Sequence, residues 1–264
     1  MRMVSRAPAA IVLPIFLVAS TGCDIVTADL KASETAEWRK TYELAPGGRV
    51  EISNINGKIA VEPSTGNAVE IVAQKTAKAS TTEAARQALE RIEIKDQASA
   101  EGVRVETKMA GPGGWFQHGS TQVKYSVRVP AGAEVKFTTI NGVVEVRGLT
   151  GRISAQATNG GVTGRDVSGT IEASTTNGGV DVELTRVGDG GAKLECTNGG
   201  ITLRLPSDAK ASISASITNG GINASGLPLD TTESTRRRLE GRLNGGGPSI
   251  RLEGTNGGIR IAAR

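Results

Sequence analysis

From residue 135 to the end of the chain, polar and apolar positions alternate in a frame anchored on Asn-Gly. The motif, usually Asn-Gly-Gly before an aliphatic residue, stands at Asn56, Asn141, Asn159, Asn177, Asn198, Asn219 and Asn256. Six residues before the Asn come Val50, Val135, Ile153, Ile171, Ala192, Ile213 and Ile250. Three after it come Ile59, Val144, Val162, Val180, Ile201, Ile222 and Ile259. Between the apolar positions stand Lys136, Ser154, Glu172 and Lys193. Strict period-two alternation predicts strands with one buried and one wet face. Each unit reads strand, Asn-Gly corner, strand and a second turn such as Gly148-Leu149-Thr150-Gly151. From Asn141 onward the steps are 18, 18, 21, 21 and 37 residues, and the last predicts a degenerate unit between Asn219 and Asn256.

Two architectures fit this frame. One is a meander of hairpins with Asn-Gly as type I′ turns. The other is a β-solenoid, each unit being one coil stacked at ~4.8 Å on the last. Alternation alone does not separate them. The mainly small inner residues, the near-constant unit length and an Asn at one fixed place favour the solenoid. Asn141, Asn159, Asn177, Asn198, Asn219 and Asn256 are then turn residues and a ladder between coils. Asn177 and Asn198 are expected to be mostly buried and bonded to the backbone of an adjacent coil.

Residues 80–92 break the frame and predict a helix. Ser80 and Glu83 form a capping box, and Ala85, Ala88, Leu89 and Ile92 make one apolar face. With strands near 69–75, 103–108 and 122–129, this helix is assigned to cap the hydrophobic end of the solenoid. A Gly-rich loop at 111–119 carries Trp115, Phe116 and His118, and a second irregular stretch, 226–248, carries Arg236, Arg237 and Arg238.

The N-terminus has a different pattern. Arg2 and Arg6 precede an apolar run over 7–19, followed by Ser20-Thr21-Gly22-Cys23. The run is shorter than the ~20 residues of a membrane span and reads as a secretory signal. Its end resembles a bacterial lipobox, with Ser20 where Leu is usual, which makes Cys23 the lipidation site; ordinary cleavage near residues 19–22 is the alternative. The predicted division is a signal at 1–22, a tether at 23–40, N-terminal strands and capping helix at 41–134, and solenoid repeats at 135–264. This places the protein in a bacterial cell envelope, on the periplasmic face of either membrane or on the cell surface.

Composition narrows the chemistry. The 264 residues include 35 Gly, 3% aromatics and a single His. A large aromatic core is excluded, and His118 alone does not supply a His-based metal site or a Ser-His-Asp triad. No metal or cofactor is expected. The net charge of +4 drops to +2 once Arg2 and Arg6 leave with the signal, so no nucleic-acid partner is expected.

The Asn-Gly-Gly-aliphatic units are joined by a second feature, an apolar-Pro-small stretch leading into a strand. It appears as Val129-Pro130 before Asn141, Leu205-Pro206 before Asn219 and Ala45-Pro46 before Asn56. Together these resemble the bacterial putative-adhesin family of β-strand-repeat envelope lipoproteins over residues 40–264. The resemblance implies an all-β fold, a single-stranded β-helix, and carries no catalytic residues.

Candidate functional residues follow from the frame. Cys196 holds an inner position and reads as a buried free thiol. Arg147, Arg165, Glu183 and Arg204 stand six residues after successive asparagines. They form either a surface ion-pair ladder or a grip for anionic glycans and lipid headgroups. Glu172, Asp181, Glu183 and Glu195 fall in scattered columns, unlike the paired acids of sugar-cleaving enzymes. Trp115 and Phe116 cap the solenoid or touch a sugar ring, membrane or partner. The sequence thus points to a non-enzymatic, lipid-anchored envelope protein, an adhesin or scaffold. Its partners would be the membrane, through the anchor, and an envelope glycan or another envelope protein. The alternative is a β-helix polysaccharide lyase or hydrolase, which would need acids paired on adjacent coils.

Overall fold

The computed structural model describes residues 31–99, 101–111 and 119–264. The signal, Cys23, Trp115, Phe116 and His118 lie outside the described residues. What is described is all-β with one helix. The N-terminal part holds β1 (Ala32–Glu43), β2 (Arg49–Asn56), β3 (Ile59–Pro63), β4 (Ala68–Ala79), α1 (Thr82–Glu90), β5 (Ile92–Ala98), β6 (Gly102–Met109) and β7 (Ser120–Val129). The repeats hold β8 (Glu134–Asn141), β9 (Val144–Arg147), β10 (Ile153–Asn159), β11 (Val162–Val167), β12 (Ile171–Asn177) and β13 (Val180–Leu184). The rest is β14 (Ala192–Leu205), β15 (Ala211–Ser225), β16 (Leu229–Ser234), β17 (Arg238–Leu243) and β18 (Ser249–Ala263).

Strands on either side of an Asn-Gly corner do not pair with each other. Each pairs in parallel with its counterpart one unit away. Before the corner, Val135, Ile153, Ile171 and Ala192 align, and so do Asn141, Asn159, Asn177 and Asn198. After it, Val144, Val162, Val180 and Ile201 align. This removes the hairpin meander. A type I′ turn needs positive φ at both central residues, but the only described non-glycine residues with positive φ are Asp166 and Asn244. No corner asparagine has a positive φ, and the glycine after it does at every corner but Asn141, at φ 146° in Gly160 and 150° in Gly178. A Cβ on Gly160 would also strike the carbonyl oxygen of Gly142. Only Gly meets both demands, which explains why Asn-Gly recurs.

The units thus stack as in a β-solenoid, with two parallel sheets meeting at the Asn corner. The inner positions of both sheets fill one continuous core, from Val50 and Ile52 through Phe137, Leu194 and Leu203 to Ile261, with no break at residue 135.

Stack order departs from chain order at both ends. β18 lies between β14 and β15, with Asn256 paired to Asn198 on one side and Asn219 on the other. The coil β2–β3 likewise lies between β8–β9 and β6–β7. The step of 37 residues is therefore not a degenerate unit. Its intervening chain forms the β16–β17 hairpin, and β17 runs antiparallel along the outer edge of β15, pairing Ile213 with Gly241. A solenoid's last strand presents unpaired backbone groups, and the hairpin covers those of the first part of β15, Ala211 to Ser216.

At the opposite end β4 and then β1 continue one sheet antiparallel beyond β7, and β5 continues the other beyond β6. The tether expected to reach residue 40 is strand from Ala32 onward. Its partly buried Ala36, Trp38 and Tyr42 pack against the core. Lys40 and Tyr42 reach across to Asp96 of β5, each at 2.8–2.9 Å. The helix lies here with Ala85 and Leu89 buried. Its N-cap is Thr81, whose hydroxyl accepts from the Ala84 N–H at 3.2 Å, not Ser80. Glu83 turns along the helix to accept from Gln87.

The seven asparagines form one amide ladder in stack order. Asn56 begins it, its Nδ2 donating to the Thr121 carbonyl at 3.3 Å. Each later Nδ2 donates to the Oδ1 of the coil before it: Asn141 to Asn56 at 2.7 Å, Asn159 to Asn141 and Asn177 to Asn159 at 2.9 Å, Asn198 to Asn177 at 3.0 Å. Asn256 then donates to Asn198 at 2.8 Å and Asn219 to Asn256 at 2.9 Å. Asn177 and Asn198 are exposed rather than buried, and their partners are side chains rather than backbone. An outward corner position places the amide at the surface, where only its counterparts on neighbouring coils are within reach. Two residues earlier a second, inner ladder runs beneath. Thr139 and Thr175 hydroxyls and the Cys196 thiol donate to the carbonyls of Gly57, Gly160 and Gly178.

Candidate interaction surfaces

The arginine column faces outward from the second sheet. Arg147 and Arg165 are register partners, as are Glu183 and Arg204. Arg165 grips Asp181 with both terminal nitrogens, at 2.9 and 2.6 Å, and Arg204 takes the same carboxylate at 2.7 Å. The Arg165 hydrogen bonds hold the Asp181 carboxyl below the usual carboxylate range, with Arg204 adding to the effect. Arg264 pairs with Asp166, and with Glu183 at 2.7 Å. The column is thus an ion-pair network. Arg165 and Arg204 are committed to Asp181, and Arg147 is the one arginine of the three without an ion pair among the described residues. Such a network tolerates anions poorly, because an incoming phosphate or carboxylate competes with acids already in place.

The first sheet presents a different surface. One residue before each corner, Thr158, Thr176, Thr197, Thr255 and Thr218 follow one another in stack order, all exposed. Beside them on adjacent coils stand Glu195 and Glu253, direct register partners. A shallow concavity of about 520 Å³ opens here, lined by Ser174, Thr176, Glu195, Thr197, Ser216, Thr218, Glu253 and Thr255. Its floor is Ala157, Thr175, Cys196 and Gly254, where the inner residues are small enough to let the surface dip. Glu195 is paired with Lys193 at 2.8 Å, and Glu253 with Arg251 at 3.6 Å.

Of the acids expected to be scattered, Glu195 therefore has a second acid directly beside it, Glu253. Glu253 lies 58 residues from Glu195 in the chain, and only the insertion of β18 beside β14 brings them together. The recurrent Thr-Asn-Gly-Gly was present in the sequence and marked the hydroxyl column. Glu172 pairs with Arg152 at 2.6 Å, as a solvated surface acid does. Cys196 is buried and free, and burial pushes its thiol up. Among the described residues no cluster of His, Cys, Asp and Glu has the makings of a metal site, and no helix is long and apolar enough to cross a membrane.

Solved structures with a similar course of the chain include a putative cell adhesion protein from Clostridium sporogenes. It is 15% identical with a TM-score of 0.46, over 88% of this chain and 100% of that one. A putative adhesin from Parabacteroides distasonis is 10% identical with a TM-score of 0.27, over 87% and 97%. A putative lipid binding protein from the same species is 9% identical with a TM-score of 0.24, over 90% and 98%. No curated protein matches the sequence. The Toastrack DUF4097 family model matches residues 115–262, more than half of the chain and the whole run of corner-and-ladder units from β8 to β18, so the protein belongs to the DUF4097 Toastrack family.

Proposed function

We propose that this protein is a lipid-anchored component of a bacterial cell envelope that acts by binding, an adhesin or scaffold whose single-stranded β-helix offers long flat faces. The face we assign to ligand is the hydroxyl-and-carboxylate concavity of the first sheet. Rows of threonine and serine hydroxyls flanked by Glu195 and Glu253 suit a polyhydroxylated partner, an envelope glycan, through many individually modest hydrogen bonds. The observation that carries the non-enzymatic reading is the pairing of each acid with a base on its own strand, Glu195 with Lys193 and Glu253 with Arg251. Each carboxylate is thus held by a cation on the surface, whereas glycoside hydrolysis uses two carboxyls that both face one scissile bond.

The alternative, a polysaccharide lyase or hydrolase, draws its support from the same stacked pair. One experiment separates them. The protein is incubated with purified envelope glycans, and both binding and chain length are followed for the wild type and for Thr197→Val/Thr255→Val. Binding that the double variant loses, with glycan length unchanged, supports the reading. Shortening of any glycan, abolished by Glu195→Gln or Glu253→Gln, would replace it with the enzyme. The anchor is tested separately: Cys23→Ser should release the protein from the membrane fraction or block its processing, and unchanged partitioning would remove the anchor from the account.

A further inference from the structure

Five corners share the local sequence Thr-Asn-Gly-Gly-aliphatic, at Asn159, Asn177, Asn198, Asn219 and Asn256. Asn-Gly is a reactive pair. The glycine nitrogen attacks the asparagine Cγ, a C–N bond forms, the side-chain nitrogen leaves as ammonia, and water opens the succinimide to aspartate or isoaspartate. Local sequence does not distinguish the five. Their backbones are also alike, with the corner glycines at φ 146°, 150°, 146°, 154° and 137° in the same order.

Their neighbours differ. In interior coils the nucleophilic N–H is occupied by the carbonyl of the next Asn in the stack. Gly57 donates to Asn141 at 2.8 Å, Gly142 to Asn159 at 2.9 Å, Gly160 to Asn177 at 2.8 Å and Gly178 to Asn198 at 2.9 Å. Their Asn amides are held on both sides, donating to one coil and accepting from the other. Asn219 is the last rung because β15 is the last coil. Its Nδ2 donates to Asn256, but no further Asn donates to its Oδ1. The Gly220 N–H, directed outward by the same alternation, meets no further Asn carbonyl. The turn of the β16–β17 hairpin that crosses this corner takes the N–H groups on either side instead, Arg237 O accepting from Ile217 and Arg236 O from Ile222. Asn219 itself is exposed.

We infer that Asn219 is a modification site, the position at which the folded chain first converts asparagine to aspartate or isoaspartate. The other seven Asn-Gly pairs are protected by the stack or, at Asn244, by an amide bonded to the carbonyls of Ser207 and Ala209. The product carries a new charge at the end of the solenoid and no longer donates to Asn256, so the terminal rung opens.

The test is peptide mapping by mass spectrometry of the intact folded protein after incubation at mildly alkaline pH, with the same incubation in denaturant alongside. Folded Asn219 should convert about fivefold faster than Asn159, Asn177, Asn198 or Asn256, the factor corresponding to one backbone hydrogen bond that need not be broken. In denaturant the five rates should converge. Equal rates in the folded protein, or Asn244 converting before Asn219, would overturn the inference. So would a preference for Asn219 that persists in denaturant, since it would then not come from the stack. The variant Asn219→Ser should leave Asn159, Asn177 and Asn198, which keep both amide partners, at their slow folded rates. If one of these three speeds up instead, the protection does not reside in its neighbours in the stack.

Discussion

Replacing Asn177 with Ala removes two rungs of the ladder at once. Asn177 donates to Asn159 at 2.9 Å and accepts from Asn198 at 3.0 Å. A typical intramolecular hydrogen bond contributes about 0.5–1.5 kcal/mol net. The site is exposed, so water replaces part of what is lost and the two bonds together should contribute about 1–2 kcal/mol. Each kcal/mol moves the melting temperature of a domain this size by about 2–4 °C, so Asn177→Ala should lower it by about 2–8 °C. Asn219→Ala removes only one rung, at the end of the stack, and should cost about half as much. Differential scanning calorimetry of the two variants beside the wild type measures both shifts. Equal shifts, or none for Asn177→Ala, would mean the ladder contributes nothing beyond what solvent supplies, and the corner would be held by its glycine alone.

Gly160→Ala should be more damaging than either, because backbone strain at φ 146° costs about 1–3 kcal/mol and the collision of its Cβ with the Gly142 carbonyl comes on top of that; a melting temperature within a degree of wild type would refute the corner geometry. Tyr125→Phe should destabilise by about 1–3 kcal/mol in denaturant titration, since it leaves the buried Thr107 hydroxyl without its 2.6 Å partner. Burial pushes the Tyr125 hydroxyl up to about 12. Its folded pKa is raised, so its share of stability is complete below the unfolded value near 10 and fades as pH rises toward 12; Tyr125→Phe should flatten that alkaline loss. Asp181 shows the opposite sign: its folded pKa is lowered, so its share is present above the unfolded value and fades as pH falls through the folded one, and Asp181→Asn should blunt acid destabilisation below about pH 4. The Cys196 thiol should resist alkylation until the protein unfolds, and prompt labelling in the native state would contradict its burial.

The alternation around each Asn assigned the inner and outer faces from β8 to β13 because one residue slip would move every apolar side chain into water. It also pointed to a ladder. It placed that ladder's partners in the backbone, because spacing shows where a side chain begins and not how far outward the corner turns it. The order of the coils was not legible. β18 and β15 carry the same frame, and nothing in either says that the later strand lies inside the earlier one. That insertion creates the Glu195–Glu253 pair and ties Arg264 to Asp166 and Glu183. β1 was hidden for another reason: Glu34, Glu37, Arg39, Lys40 and Glu43 give it a tether's composition, though they are what an edge strand uses to stay soluble. The arginine column was visible, but the acid that neutralises it, Asp181, sits two positions off that column.

Everything proposed for the first sheet depends on β18 lying between β14 and β15, and cysteine trapping tests that order directly. Cys196 is a register partner of Gly254 across β14 and β18, and Gly254 in turn of Ile217 across β18 and β15. Neighbouring parallel strands stand ~4.8 Å apart, within the Cα separation a disulfide spans, whereas two strands over is beyond it. Gly254→Cys and Ile217→Cys are made separately, oxidised, and mapped by mass spectrometry without reduction. The stack described here predicts a 196–254 disulfide in the first variant and none between 196 and 217 in the second. A 196–217 disulfide, with both thiols of the Gly254→Cys variant remaining free, would mean that the coils stack in chain order, and the paired glutamates and the surface built on them would be lost with it.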